Sequence, residues 1–337
     1  MNKVVYFIMR YRKFGNTSLN VSETGFGAWA IGGGAMVGQT AIGWGDVDDR
    51  ESVKAIHAAL DAGVNFFDTA DIYGLGHSEE ILGKTLAGNK EVVIATKGGN
   101  VARDGVFTTD YSAAWLISAC ENSLRRLKKE AIDYYQLHTV RVDSLEKGEC
   151  LKAMDTLQKQ GKIRYWGISL NTFDPMPEAE WLIKHQAGNG FQLVLNMINQ
   201  RALPLLDKAA GAGYGLIARM PLQFGLLTGK FDRVAEFADN DHRKKRMKKE
   251  VVEKANEALA GVWKLCDKYS CSKTDLAMRY IMSYPAISVV IPGIRTVEQA
   301  RQNTAASFML EPADMLFIEN EYREKITAVM DLIQQQG

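Results

Sequence analysis

Four residues of this chain carry side chains that together could move a proton to or from a carbonyl oxygen: Asp68, Tyr73, Lys97 and His138. Three of them end short apolar runs: Asp68 after Val64–Phe67, Lys97 after Val92–Thr96 and His138 after Ile132–Leu137. Tyr73 follows Asp68 by five residues. A free phenol, with a pKa near ~10, is a poor proton donor at neutral pH. An ammonium beside a phenol favours the phenolate, and a carboxylate holds that ammonium in place. An imidazole can hydrogen-bond to a carbonyl oxygen and polarise it. The set therefore suits general acid–base chemistry at a carbonyl or an alcohol, with Tyr73 as the proton relay. Taken singly, each has a plainer account: Asp68 as a helix cap, His138 as a core histidine, Lys97 as a strand end, Tyr73 as loop packing. All four together do not, because a buried Asp–Lys pair without a function is costly.

Such residues need a scaffold that gathers strand ends on one rim. Runs rich in β-formers lie at Gly25–Ile31, Val64–Asp68, Val92–Lys97, Ile132–His138, Ile163–Ser169, Phe191–Asn196, Gly215–Arg219 and Ser288–Ile291. Segments of helical spacing separate most of them. Val53, Ile56 and Leu60 follow the capping candidates Asp48 and Asp49 and stop at Gly63; Leu151, Met154 and Leu157 stop at Gly161. Ala114, Ile117, Leu124 and Leu127 mark a longer helix, with basic residues favourably near its C-terminal end. Eight strands alternating with helices predict an α/β fold with a parallel sheet, and eight is the number that closes into a (β/α)8 TIM barrel.

The open doubly wound alternative lacks its fingerprint. Gly32-Gly33-Gly34 fails the dinucleotide pattern because Val37 holds the third glycine position, and Ser78 stands where a P-loop ending in Gly83-Lys84-Thr85 needs its first glycine. The expectation is one domain over residues 1–337, with barrel strands from about residue 24 to 291. An N-terminal extension precedes them, and a helix over Met315–Ile333 packs outside the barrel. Strand alternation then points Val93 and Ala95 with Lys97, and Tyr134 and Gln136 with His138, into the lumen.

Composition narrows the class. The 337 residues are 46% hydrophobic and carry a net charge of +1, which leaves no electrostatic footprint for nucleic acid or anionic membranes. No run approaches the ~18–20 apolar residues of a membrane span. The run Val4–Met9 is short and meets Arg10, Arg12 and Lys13 at once, unlike a secretory signal. Cys120, Cys150, Cys266 and Cys271 form neither a disulfide framework nor a zinc site. The reading is a cytoplasmic, metal-free enzyme acting on a small molecule, with no nucleic-acid or membrane partner and its oligomeric state open.

The contexts of the four residues resemble the aldo-keto reductase family. Phe67-Asp68-Thr69-Ala70-Asp71-Ile72-Tyr73-Gly74 and Ser78-Glu79-Glu80-Ile81-Leu82-Gly83 are similar to its first signature. Val93-Ile94-Ala95-Thr96-Lys97 and Asp133-Tyr134-Tyr135-Gln136-Leu137-His138 resemble the strands carrying its lysine and histidine. The likeness runs from Thr24 to Asn303. It implies a barrel holding NAD(P)H across its C-terminal face, with Asp68, Tyr73, Lys97 and His138 as the catalytic tetrad and Tyr73 as general acid/base.

The same resemblance assigns cofactor contacts. Ser169 would bond the nicotinamide carboxamide, with Asn196 where relatives place a Gln, while Leu170 displaces the usual following Asn to Asn171. Arg219 stands where many relatives stack an aromatic on the nicotinamide; Pro221, Leu222 and Gly225 belong to the segment wrapping the pyrophosphate. Gly293, Arg295, Gln299 and Asn303 mark the adenosine end. Arg295 is the available cation for a 2′-phosphate, so NADP(H) is preferred and NAD(H) remains possible. Trp29, ending the first strand, is expected against cofactor and substrate alike, with Trp44 and His77 on the substrate side.

His57, His185 and His242 read as surface residues. The basic run His242–Lys249, flanked by acidic residues and free of aromatics, reads as a solvated helix start or a loop near the cofactor. The implied activity is NAD(P)H-dependent interconversion of an aldehyde, ketone or open-chain sugar carbonyl with its alcohol. An NADPH-binding regulatory subunit of the channel-associated type, with weak turnover, is the alternative. A lyase using Lys97 as a Schiff-base amine is a third, opposed by Asp68, which favours a charged ammonium.

Overall fold

The computed structural model describes residues 9–231, 236–305 and 308–336, so most of the run Val4–Met9 lies outside the described residues. Eight strands form the central sheet: β1 Phe26–Gly27, β2 Phe66–Asp68, β3 Val93–Gly98, β4 Ile132–His138, β5 Ile163–Ser169, β6 Gly190–Val194, β7 Gly215–Arg219 and β8 Val289–Ile291. Each pairs in parallel with its successor. Bridges from Thr24 to Val290 and from Gly27 to Gly293 join β1 to β8 and close the ring. The expected (β/α)8 barrel is therefore the observed fold.

Local chemistry sets the helix ends. Asp48 caps the helix Asp49–Asp61 by accepting from Arg50 N at 2.8 Å, and Gly63, at φ +86°, turns the chain back towards β2. Ser112 caps Ala113–Leu127 in the same way, and Glu149–Lys159 carries the Leu151 pattern. The first strand is much shorter than Gly25–Ile31. Only Phe26 and Gly27 pair; Ala30–Gly32 winds into a 3₁₀ turn, and Gly33 at φ +79° redirects the chain into a loop with a small hairpin, Met36–Val37 with Thr40–Ala41. That departure lifts Trp29 and Trp44 over the barrel end. The sixth strand ends at Val194, before Asn196.

Alternation along the strands separates two cores. Phe66, Val93, Ala95, Tyr134, Ile217, Val289 and Ile291 pack together inside the barrel. Their neighbours Phe67, Ile94, Tyr135 and Leu137 face the helices. The N-terminal extension closes the barrel floor. Its hairpin, Tyr11–Lys13 with Asn20–Ser22, seats Phe14 edge-on to Tyr134, ring centroids 4.9 Å apart. Gly215 makes room for that ring: a Cβ there would stand 2.6 Å from it. The C-terminal segment packs outside the barrel as two helices, Pro312–Glu321 and Thr327–Gln335, joined by a π-turn at Tyr322–Ile326 rather than running straight. Among the described residues no helix is long and apolar enough to cross a membrane.

Candidate active site

Register brings three of the four expected residues to one rim. Asp68 pairs with Ala95 two residues before Lys97, Lys97 lies level with Gln136, and His138 lies level with Ser169. Lys97 Nζ is buried completely and donates to Asp68 Oδ2 at 2.7 Å, to the Thr69 carbonyl at 2.7 Å and to the Tyr73 hydroxyl at 3.2 Å. Burial alone would pull the ammonium pKa down, but the attraction of Asp68 and of Tyr73 outweighs it and raises the value above that of a free lysine. The other Asp68 oxygen accepts from Gln136 Nε2 at 3.2 Å and Gln192 Nε2 at 2.7 Å. The carboxylate thus has donors on both oxygens, which is what a buried charge requires.

His138 closes the set, its ring edge-on to that of Tyr73 with centroids 6.0 Å apart. Burial first, and then the nearby Lys97 and Arg219 cations, hold its pKa well below the ordinary histidine value, so the ring is neutral near pH 7. Its Nδ1 is buried and has no partner. A carbonyl entering here meets a phenol backed by an ammonium and an uncharged imidazole.

Asp68, Tyr73 and His138 open into a cavity of about 510 Å³ across the C-terminal ends of the strands. Of the expected contacts, Trp29, Trp44, Ser169, Arg219, Pro221, Leu222, Gly225, Gly293, Arg295 and Gln299 line it. An elongated anionic cofactor fits this donor set. Arg219 has a buried Nε without a partner, the space around Gly293 is open, and Arg295 is crowded by burial and by Arg243 in a way that lowers its pKa and that an anion would relieve.

Four expectations are corrected. Asn196 does not face the cavity: it is buried in the β6–β7 turn, capping Ile198 N and Asn199 N and donating to the Met220 carbonyl and Gln223. With β6 ending at Val194, the strand's cavity-facing polar residue is Gln192. Asn303 is buried on the helix Val297–Ala305 and does not line the cavity, while Gln299 one turn earlier does. His77 turns away to Asp49, 2.9 Å distant.

His242 is the fourth correction, since it is no surface residue. It is buried, stacked on Trp29 at 4.4 Å and edge-on to Trp44 at 4.7 Å, and its pKa is pushed down to about 3, chiefly by burial. Within the basic run, Arg243 turns in to pair with Asp241 at 2.6 Å and Arg246 donates to His242 Nδ1 at 2.8 Å. His57 and His185 are exposed, as expected. Sequence reasoning missed Phe107, Phe224, Arg243 and Arg246 in the cavity wall. Nothing local marks them, because loops far apart in the chain bring them there.

Comparison with known proteins agrees with this fold. The model of the Aldo/keto reductase family matches residues 23–320. The Bacillus subtilis protein described as uncharacterized oxidoreductase YqkF is 30% identical over 89% of this chain and 91% of its own. The aldo-keto reductase YhdN of the same organism is 30% identical over 85% of each. Among solved structures, the glycerol dehydrogenase AKR11B4 from Gluconobacter oxydans superposes with a TM-score of 0.78 at 29% identity, covering 94% of this chain and 96% of that one.

Proposed function

Because the chain belongs to the aldo/keto reductase family and is an oxidoreductase of that kind, we propose that it interconverts a carbonyl and an alcohol with NADP(H), using Asp68, Tyr73, Lys97 and His138. The observation that carries this reading is Lys97 Nζ, sealed from solvent between Asp68 Oδ2 at 2.7 Å and the Tyr73 hydroxyl at 3.2 Å. When bound, the nicotinamide supplies the hydride. The chain's own residues handle the proton: Tyr73 gives it to the carbonyl oxygen in reduction and takes it back in oxidation. Lys97 balances the negative charge then left on the phenolic oxygen, and Asp68 keeps Lys97 charged. Neutral His138 orients the carbonyl without competing for the proton.

Ser169 and Arg219 would hold the nicotinamide end. Pro221, Leu222 and Gly225 would run along the pyrophosphate, with Gly293, Arg295 and Gln299 at the adenosine. Arg295, together with Arg243, supports a preference for the 2′-phosphate of NADPH over NADH. Trp29 and Trp44 wall the substrate side, which suits a small aldehyde, a ketone or an open-chain sugar.

The test is NADPH oxidation against a panel of aldehydes, with Tyr73→Phe alongside. We expect turnover in the native protein and a fall of at least about 10²-fold in kcat for the variant, the scale of a lost general acid. Tight NADPH binding without turnover on any carbonyl would instead mark a regulatory subunit. Tyr73→Phe turning over like the native protein would remove Tyr73 from the role.

A further inference from the structure

Tyr73 is the one member of the set that no strand holds. The three residues after it, Gly74, Leu75 and Gly76, all take left-handed backbone, at φ +60°, +55° and +102°. Leucine is strained in that region, and Leu75 is more than half exposed, so its side chain offsets little of that. A segment of this kind persists only where its surroundings over-determine it.

Those surroundings form a polar cluster on the outer side of the barrel wall, beneath the helices. Glu79, wholly buried, accepts from Thr96 Oγ1 at 2.5 Å and from Arg126 Nε at 2.7 Å. Thr96 is the chain neighbour of Lys97, and the stem of Arg126 packs 2.9 Å from where Gly76 would carry a Cβ. Two further groups in the cluster have no partner at all: Asp71 Oδ1 and the Tyr135 hydroxyl, both buried. The Tyr135 hydroxyl and the other Asp71 oxygen both lie beside Gly98, where a Cβ would stand 2.1 Å from the hydroxyl and 3.6 Å from Asp71 Oδ2. The backbone of Asp71 already bonds the same strand, its N donating to the Lys97 carbonyl at 3.2 Å. Tyr135 comes from β4, three residues before His138.

We propose that these two unpartnered groups serve each other: a hydrogen bond between the Asp71 carboxyl and the Tyr135 hydroxyl across Gly98 makes Asp71 a positioning residue that fastens the loop of Tyr73 to the strands of Lys97 and His138. Its carboxyl enters the pair as an acid. Burial, and then the charge of Glu79, raise its pKa well above the ordinary carboxylate range, against weaker opposition from Arg126 and Lys97. Arg126 is already committed to Glu79, which leaves Asp71 without a strong counter-charge. The inference rests on Tyr73 being the proton donor.

The experiment compares Asp71→Ala, Asp71→Asn, Tyr135→Phe and Tyr73→Phe as full-length proteins, using 4-nitrobenzaldehyde and NADPH as probes. It reads kcat, KM, NADPH affinity by fluorescence, and melting. A displacement of the donor of up to an ångström predicts that kcat falls about 10- to 100-fold in Asp71→Ala and Tyr135→Phe, with KM and NADPH affinity held within about twofold. A merely structural role would move melting and the active fraction but not this split. The Asn amide adds no charge and can still bond the phenol, so Asp71→Asn should restore kcat to within about threefold. Native kcat in Asp71→Ala, or Asp71→Asn as damaging as Asp71→Ala, would overturn the proposal. If Asp71→Ala does not fold, Tyr135→Phe decides by the same split. Tyr73→Phe separates the two readings: if it keeps native turnover, the role of Tyr73 fails. If it alone loses turnover, only the positioning role fails.

Discussion

Replacing Lys97 by Met tests the energetics of the site without reference to any substrate. At the 2.7 Å separation from Asp68 Oδ2, an effective dielectric of ~20 gives a gross attraction of about 6 kcal/mol. Desolvating each ion costs several kcal/mol, so the pair contributes little net stability. Removing one partner is another matter. Lys97→Met forfeits the attraction while Asp68 stays buried, with only Gln136 and Gln192 donating to it. The expected loss is about 3–5 kcal/mol, and a chain of this length should then melt roughly 4–8 °C lower. In the double variant Asp68→Asn/Lys97→Met the amide oxygen still accepts from both glutamines and no charge is stranded. It should recover to within about 2 kcal/mol of the native protein, a coupling of at least about 1 kcal/mol between the two sites. The assay is urea unfolding of Lys97→Met, Asp68→Asn and the double variant at pH 7.5. If Lys97→Met unfolds with the native protein, or the double variant is as weak as the sum of the singles, the ion pair is not what governs this site.

Three further outcomes follow from named contacts. The depressed pKa values of His138 and His242 mean that the unfolded chain binds protons below about pH 6.5 that the folded chain refuses. Their contribution is therefore complete above that pH and is lost as pH falls towards about 3 for His242; the unfolding free energy from urea titrations should drop between pH 7.5 and 5, by about 2 kcal/mol for His242, and a flat profile would contradict the burial. Arg295→Ala should weaken NADPH binding by about tenfold and leave NADH within about twofold in fluorescence titrations, since one charge-assisted contact is worth roughly 1.5–3 kcal/mol; equal losses for both nucleotides would remove the 2′-phosphate role. Gly215→Ala should cost about 1–3 kcal/mol, because its methyl would stand 2.6 Å from the Phe14 ring. Restoration of melting by Phe14→Leu in the same chain would identify that clash as the cause.

What was legible in the sequence follows from which forces are local. Alternation along a strand is a property of the backbone, so Val93, Ala95 and Lys97 could be placed in the lumen by counting, and β4 and β5 have the bounds their residues imply. The first strand could not be bounded that way, since the apolar run Gly25–Ile31 continues through a 3₁₀ turn whose residues are buried for another reason, against the turn Tyr73–Gly76 and the helix His77–Thr85. Asn196 was placed by resemblance to a strand that in this chain stops two residues earlier, and its amide is used up capping the turn. His242 lies in a run of cations that looks solvated. Its burial depends on Trp29 and Trp44, some two hundred residues earlier, and no local pattern reports that encounter. Phe14 was hidden in the same way, its seat made by Gly215.

The site divides by how its parts are held. Asp68, Lys97 and His138 are fixed by the parallel ladders of β2, β3 and β4, whose registers cannot slip without turning lumen residues into the helices. Tyr73 depends on a loop, and the cavity roof depends on two more, joined where Trp44 bridges Asp241 and His242 N donates to the Gly43 carbonyl at 3.0 Å. A barrel can keep its strand ends constant while loops change what they cover. It follows that the strand-held groups are fixed by the ladders, and that Tyr73 is the member whose place depends most on its surroundings. Its place rests on the left-handed turn Gly74–Gly76, on the Glu79–Arg126 ion pair and, as proposed above, on Asp71 with Tyr135. Variation in the roof between Trp29 and Arg246 should change which carbonyl enters, and variation behind the wall at Asp71 and Tyr135 should change how well any of them is reduced.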